Sequence, residues 1–192
     1  MIQNVLDLQK KGLKINWGPG MFWALLPNSS DTKLPYANKK VREALEYALD
    51  RPAIAKMIGL GAYEPLHQMA PSGWPGYVPG YNPRPYNPQK AKQLLAEAGY
   101  PNGFKTEILA PATEQDFSAA VQAYLAAVGI EAKLDLAEPA RYNTKVFREG
   151  WSHLALAQSG INPDATDLYV HFGPSPMTYR TGTFKKSPEF LA

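Results

Sequence analysis

Residues that could carry catalytic or metal chemistry are few in this sequence of 192 residues. It contains three histidines, His67, His153 and His171, and no cysteine. The histidines share no spacing typical of a metal site, so we expect each to have a structural or surface role. The lack of cysteine excludes disulfides, thiolate metal sites and cysteine nucleophiles.

Nothing in the sequence indicates an enzyme active site. Ser159-Gly160 lacks the G-x-S-x-G pattern of a nucleophile elbow. Asp164 and Asp167 lie one helical turn apart, which is typical of a solvated helix start, where the helix dipole favours carboxylates. No glycine-rich phosphate loop follows a predicted strand. A small hydrolase therefore remains only as a remote alternative.

Aromatic residues in predicted loops favour a binding function, because ligand pockets combine aromatic walls with a few polar groups. Trp74, Tyr77 and Tyr81 fall in the segment 71–88, which is rich in proline and glycine. A loop of this length is usually functional or packed as a unit, and both roles stay open here. A second aromatic group lies in the predicted strands or just beside them, where burial in the core is the ordinary role: Trp17, Phe22 and Trp23.

Helices and strands alternate along the chain. Apolar spacing and capping residues predict helices at 2–11, 38–49, 52–59, 87–98, 117–128, 139–148, 164–171 and 187–191. Strands are predicted at 13–17, 21–26, 104–109, 130–136 and 154–157. Ile54, Met57 and Ile58 should face the core, and Thr113 to Asp116 resembles a capping arrangement. The fold class is therefore α/β (α+β), with a mixed β-sheet flanked by helices.

Two long motifs carry a family resemblance. Residues 38–51 read NKKVREALEYALDR, and residues 88–104 read PQKAKQLLAEAGYPNGF. They are similar to two patterns of the family 5 extracellular solute-binding proteins, N-x-x-V-R-x-A-L-x-Y-A-x-D-R and D-P-x-K-A-K-x-L-L-x-E-A-G-Y-P-x-G-F. Both motifs are mainly structural, and Arg42 and Asp50 are expected to bind within their own domain. Members of this family supply peptides, nickel chelates, opines or sugars to ABC importers.

The resemblance covers roughly residues 20–192 and implies a two-lobed receptor, in which a smaller lobe is inserted into a larger one. Residues 1–192 look like that second lobe of a type II periplasmic binding protein-like (dipeptide-binding protein) fold, as a single domain whose first lobe is absent. The N-terminal residues lack the basic and apolar regions of a signal peptide, so we expect an excised domain.

The implied function is non-catalytic capture of a small solute between two lobes and its delivery to an ABC permease. The implied location is periplasmic or extracellular, with membrane association through the transporter. No cofactor is expected. A net charge of only +3, without charge blocks, argues against nucleic acid as a partner. The implied alternative is a nickel or metal-chelate receptor of the same family that uses the histidines.

The segment 154–170 is expected to select the solute. Peptide receptors of the family carry there a pattern like G-W-x-x-D-Y, whose aspartate holds the α-ammonium of the peptide. Ser159 and Asn162 stand at the tryptophan and aspartate positions, and an asparagine leaves an ammonium uncompensated. An opine-like or sugar-like solute is therefore favoured over a free peptide, with a self-stabilised turn as the alternative role for these residues. The expected ligand-binding residues are Gln158, Ser159, Gly160, Asn162, Met69, Trp74 and Trp23.

Overall fold

The computed structural model describes residues 2–16, 18, 20–161, 167–173, 182–186 and 188. Residues 164–166 of the predicted helix 164–171 lie outside the described residues. The predicted helix 187–191, apart from residue 188, and Trp17 also lie outside them. The helices are α1 (Ile2–Lys10), α2 (Lys39–Ala48), α3 (Arg51–Gly59), α4 (Pro88–Glu97), α5 (Gln115–Ala126), α6 (Pro139–Thr144) and α7 (Asp167–Phe172). The strands are β1 (Met21–Pro27), β2 (Phe104–Pro111), β3 (Ile130–Ala137) and β4 (Leu154–Gly160).

The four strands form one mixed sheet in the order β1-β4-β2-β3. β2 is parallel to both β3 and β4, and β1 runs antiparallel to β4. The carboxyl ends of three strands and the amino end of β1 therefore share one edge of the sheet. This confirms the predicted mixed sheet flanked by helices.

Each face of the sheet has its own apolar core, because side chains alternate along a strand. Leu154 and Leu156 of β4 pack on one face, with α2, α4 and α5 above them. Ala155 and Ala157 pack on the other face, against Tyr142 of α6 and Val146 of the turn that follows it. The fold is thus a helix–sheet–helix sandwich.

Side-chain caps explain why α2, α3 and α4 begin where the sequence predicts. Asn38 accepts a hydrogen bond from the Lys40 amide, and Asp50 accepts one from the Ala53 amide. Asn87 caps α4 in the same way, with Pro88 in the first turn. Arg42 donates to the Tyr36 carbonyl oxygen at 2.7 Å, which confirms that it binds within its own domain.

Three local predictions are wrong. No strand forms at residues 13–16, where Leu13 is 53% exposed, because nothing pairs with a short alternating segment outside the sheet. Met57 of α3 points to solvent, with 54% of its surface exposed. Thr113 and Asp116 make no cap, since a 3-10 turn, Ala112–Glu114, connects β2 to α5 instead.

The second half of the predicted helix 139–148 departs from α geometry. Residues Lys145–Glu149 form a π-helical turn directly after α6, and Gly150 ends that turn. Along the described part of the chain, no helix combines the length and apolarity required to cross a bilayer.

Candidate functional site

The shared edge of the sheet is the candidate ligand site, since ligands of open α/β sheets bind beyond the carboxyl ends of the strands. β4 ends there with Gln158, Ser159 and Gly160, and β1 starts there beside it. In the register, Trp23 faces Gln158 and Phe22 faces Ser159. The structure therefore brings four of the predicted site residues together: Trp23, Gln158, Ser159 and Gly160.

The side chains of Gln158 and Ser159 lie on opposite faces of the sheet, because they are consecutive strand residues. Trp23 and Gln158 lie on the face of α5, where the Trp23 ring meets the Phe117 ring edge-on at 5.6 Å between centroids. Both predicted residues are half-buried. On this face the edge offers an indole and an amide.

Ser159 lies on the other face beside an imidazole. Its Oγ is 3.4 Å from Nδ1 of His171, which is only 3% exposed. The Phe22 ring meets His171 edge-on at 5.5 Å, and Phe172 follows His171 on α7. The half-buried Ser159 hydroxyl can hydrogen-bond a solute hydroxyl or carboxylate, and the buried imidazole lies behind it. Sequence reasoning gave His171 a structural or surface role and missed this pairing, since no local pattern joins β4 to α7.

Glu114 is a second residue that the sequence did not single out. It ends the 3-10 turn after β2, at the same edge of the sheet as the end of β4. Its carboxyl group is partly buried, and this burial raises the pKa of Glu114. The raised pKa means that an ionised Glu114 is incompletely solvated, so a cation placed beside it would be favoured.

Tyr142 attaches the end of β4 to α6. Its hydroxyl donates to the Leu156 carbonyl oxygen at 2.9 Å, two residues before Gln158. Burial raises the pKa of Tyr142 to about 12. The hydroxyl therefore stays protonated at neutral pH and keeps the end of β4 attached to α6.

The loop between α3 and α4 holds the other two predicted residues, Met69 and Trp74, both half-buried. Arg84 anchors the base of this loop to α2 through Glu43 and Glu46, at 3.5 and 3.4 Å. In the described part of the chain, neither Met69 nor Trp74 makes a hydrogen bond or ring contact to β1 or β4. The hydrogen bonds and ring contacts of the described residues therefore do not join the loop residues to the strand residues. Asn162 lies outside the described residues.

The histidines do not converge. His67 lies in the loop, where burial lowers its pKa and the nearby Arg51 guanidinium lowers it further. His153 precedes β4 and His171 lies on α7. Over the ranges that the structure covers, no three histidine or acidic side chains come close enough together to hold a metal ion.

Comparison with known proteins places these observations in a family. The profile of the bacterial extracellular solute-binding proteins, family 5 Middle, matches residues 3–178. Glutathione-binding protein GsiB of Escherichia coli (strain K12) is 39% identical over 179 residues, which cover 84% of this chain and 34% of that protein. The chain therefore spans about a third of the length of the curated relatives that it matches.

Solved structures with the same fold agree. The ABC transporter-associated periplasmic binding protein DppA from Helicobacter pylori, in complex with peptide STSA, is 29% identical at a TM-score of 0.73. That match covers 88% of this chain and 33% of DppA. The PBP AgaA from A. tumefacien R10, in complex with agropinic acid, is 27% identical at a TM-score of 0.79, over 98% of this chain and 40% of AgaA. These neighbours identify the fold as that of type II periplasmic binding proteins.

Proposed function

Since the chain belongs to the family 5 bacterial extracellular solute-binding proteins, we propose that it is the inserted ligand-binding lobe of the substrate-binding component of an ABC importer. Residues 1–192 form one domain in this proposal, and a first lobe of the same receptor closes over it. The complete receptor captures a small peptide-like or opine-like solute. It acts as a transport receptor and catalyses no reaction.

The observation that carries this proposal is the exposed edge of the sheet. The half-buried Trp23, Gln158 and Ser159 gather there, next to the exposed Gly160. Trp23 and Gln158 present an indole and an amide on one face of the sheet, and Ser159 presents a hydroxyl on the other, which suits one side of a cleft. Met69 and Trp74 would contribute from the loop when a solute and the other lobe are present.

The solute that fits best is opine-like, meaning a conjugate rich in carboxylate and hydroxyl groups. Gln158 and Ser159 can donate to or accept from such groups, and neither carries a negative charge. Asn162 supports the same choice on sequence grounds, because it stands where peptide receptors have an aspartate. AgaA, which binds agropinic acid, matches nearly the whole chain.

Glutathione is a second candidate, and a specific residue favours it. Glu114 could pair with an ammonium group at the edge of the sheet, which Asn162 cannot do. The relative GsiB, at 39% identity, is a glutathione-binding protein. The two candidates therefore differ in whether Glu114 takes part in binding.

Isothermal titration calorimetry on the complete receptor tests the proposal. The panel is agropinic acid, mannopinic acid, glutathione and the dipeptide Met-Leu. Under the leading proposal an opine binds most tightly, and Glu114→Gln leaves its affinity unchanged. If glutathione binds most tightly and Glu114→Gln weakens it, the second candidate holds. Tightest binding by Met-Leu contradicts the argument from Asn162.

The proposed partners follow from the family. The receptor would work with an ABC permease in the membrane, and would be periplasmic or extracellular. A metal-chelate receptor is the weaker alternative, because the three histidines lie on separate parts of the domain.

A further inference from the structure

The loop between α3 and α4 contains a closed segment, residues 68–78, which we name the clipped segment. The Gln68 side chain closes it with two hydrogen bonds to the Val78 backbone. Its Nε2 donates to the Val78 carbonyl oxygen at 2.9 Å, and the Val78 amide donates to its Oε1 at 2.9 Å. One side chain thus replaces the backbone partner that a neighbouring strand would supply.

Two successive turns fill the clipped segment. The Trp74 amide donates to the Pro71 carbonyl oxygen at 3.2 Å, and the Tyr77 amide donates to the Trp74 carbonyl oxygen at 3.1 Å. Pro71 is buried, so this part of the segment is seated on the domain. The backbone of Trp74 is therefore held on both sides, and Met69 directly follows the residue that makes the clip.

The amide of Gln68 is suited to this clip at neutral pH, and a carboxylate is not. Glutamine presents one acceptor and one donor side by side, whereas a carboxylate only accepts. Residues 61–87 contain no helix or strand, so the backbone of the loop has few partners of its own. Two bonds that join residues ten positions apart remove much of the freedom of such a loop.

We propose that Gln68 is a positioning residue, which closes the clipped segment and so presents Met69 and Trp74 to the solute. This role rests on the function proposed above. The affinity for the solute increases because the loop is already ordered before the solute binds. Binding then does not carry the entropic cost of ordering the loop.

The test uses three variants of the complete receptor. Gln68→Ala removes both bonds. Gln68→Glu keeps the shape and the acceptor, but sets a carboxylate against the Val78 carbonyl oxygen. Gln89→Glu is the matched control, since it makes the same chemical change at an exposed position at the start of α4. The probe is agropinic acid or glutathione, whichever the unaltered receptor binds.

Two measurements follow. Hydrogen exchange at the Val78 amide, without solute, reports the clip itself and should become faster in Gln68→Ala, which removes the acceptor of that amide. Probe affinity at neutral pH should fall by about tenfold in both Gln68 variants. At about pH 4 roughly two-thirds of a glutamic acid side chain is protonated and can donate again, so Gln68→Glu should recover part of the lost affinity relative to the unaltered receptor. Taking the ratio at each pH removes the titration of the probe, which is the same for both proteins.

Distinct results would overturn the proposal. Unchanged exchange at Val78 in Gln68→Ala means that the clip does not order the segment. Faster exchange with unchanged affinity, while Trp74→Ala weakens binding, means that Trp74 meets the solute without help from Gln68. If Gln68→Ala does not fold, the two pH values for Gln68→Glu decide alone. A receptor that binds neither probe refutes the proposed function. The exchange measurement still tests the clip in that case, because it needs no solute.

Discussion

Substituting Gly103 tests how closely β2 and β3 approach each other where the two strands begin. Gly103 and Gly129 touch where β2 and β3 begin, and the Phe104 amide donates to the Gly129 carbonyl oxygen at 3.2 Å. A Cβ on Gly103 would lie 1.8 Å from that same oxygen, and Gly103 has a φ of +74°. Alanine there must therefore adopt left-handed backbone and also push the two strands apart.

Gly99 provides the matched control. Its φ is +94°, but an added Cβ would meet nothing within 4 Å. Gly99→Ala should thus cost only the left-handed backbone term, about 1–2 kcal/mol. Gly103→Ala should cost that amount and a further 1–3 kcal/mol, roughly, for the forced separation.

Urea unfolding followed by far-ultraviolet circular dichroism measures both costs on the same chain. We expect Gly103→Ala to unfold at clearly lower urea than Gly99→Ala, with the unaltered chain above both. An additional loss of about 2 kcal/mol corresponds to a drop in Tm of roughly 4–8 °C for a domain of this size. Equal losses in the two variants would refute the close contact between Gly103 and Gly129.

The remaining predictions concern two buried hydroxyls and the base of the loop. Tyr36→Phe removes the core hydrogen bond to Thr106, so the free energy of unfolding should fall by about 1–2 kcal/mol; adding Thr106→Val should recover most of it in a double-mutant cycle. Burial raises the pKa of Tyr142 in the folded chain to about 12, above its ordinary value of 10.0, so its contribution to stability is complete below pH 10.0 and is lost as pH rises toward 12. Urea unfolding across that range should show a smaller decline in Tyr142→Phe. Arg84→Ala should cost about 0.5–1 kcal/mol at low salt, and less in about 1 M salt, because its ion pairs are partly exposed.

The helices that the sequence predicted best are those with local signals at both ends. The segment 38–49 has an asparagine cap and a regular apolar stripe, and α2 occupies it almost residue for residue. Its signals act over one or two turns and need no distant partner. The segment 13–17 had alternation alone, and alternation forms a strand only when another strand pairs with it.

The end of β4 shows why the site was harder to predict. The predicted strand stopped at Ala157, yet β4 continues to Gly160 because β1 pairs with it as far as Met21. That pairing joins positions far apart in sequence, so no local pattern reveals it. Continuing the strand separates Gln158 from Ser159 across the sheet, and only the folded domain brings His171 to Ser159.

Glu114 illustrates the same limit. In the sequence it lies between Thr113 and Asp116, the two residues of the predicted capping arrangement, and no pattern marks it as a binding residue. Its position beside the end of β4 depends on β2 lying parallel to β4, which the order of elements alone does not fix. Its partial burial is likewise a property of the packed domain.

Titrating agropinic acid and glutathione into the complete receptor and, separately, into this chain alone tests the central proposal most directly. The proposal places only one wall of the binding cleft on residues 1–192. The complete receptor should therefore bind one of the two compounds, and the isolated chain should bind it far more weakly. Equal affinity for both proteins, or consumption of either compound during the titration, would contradict the proposal.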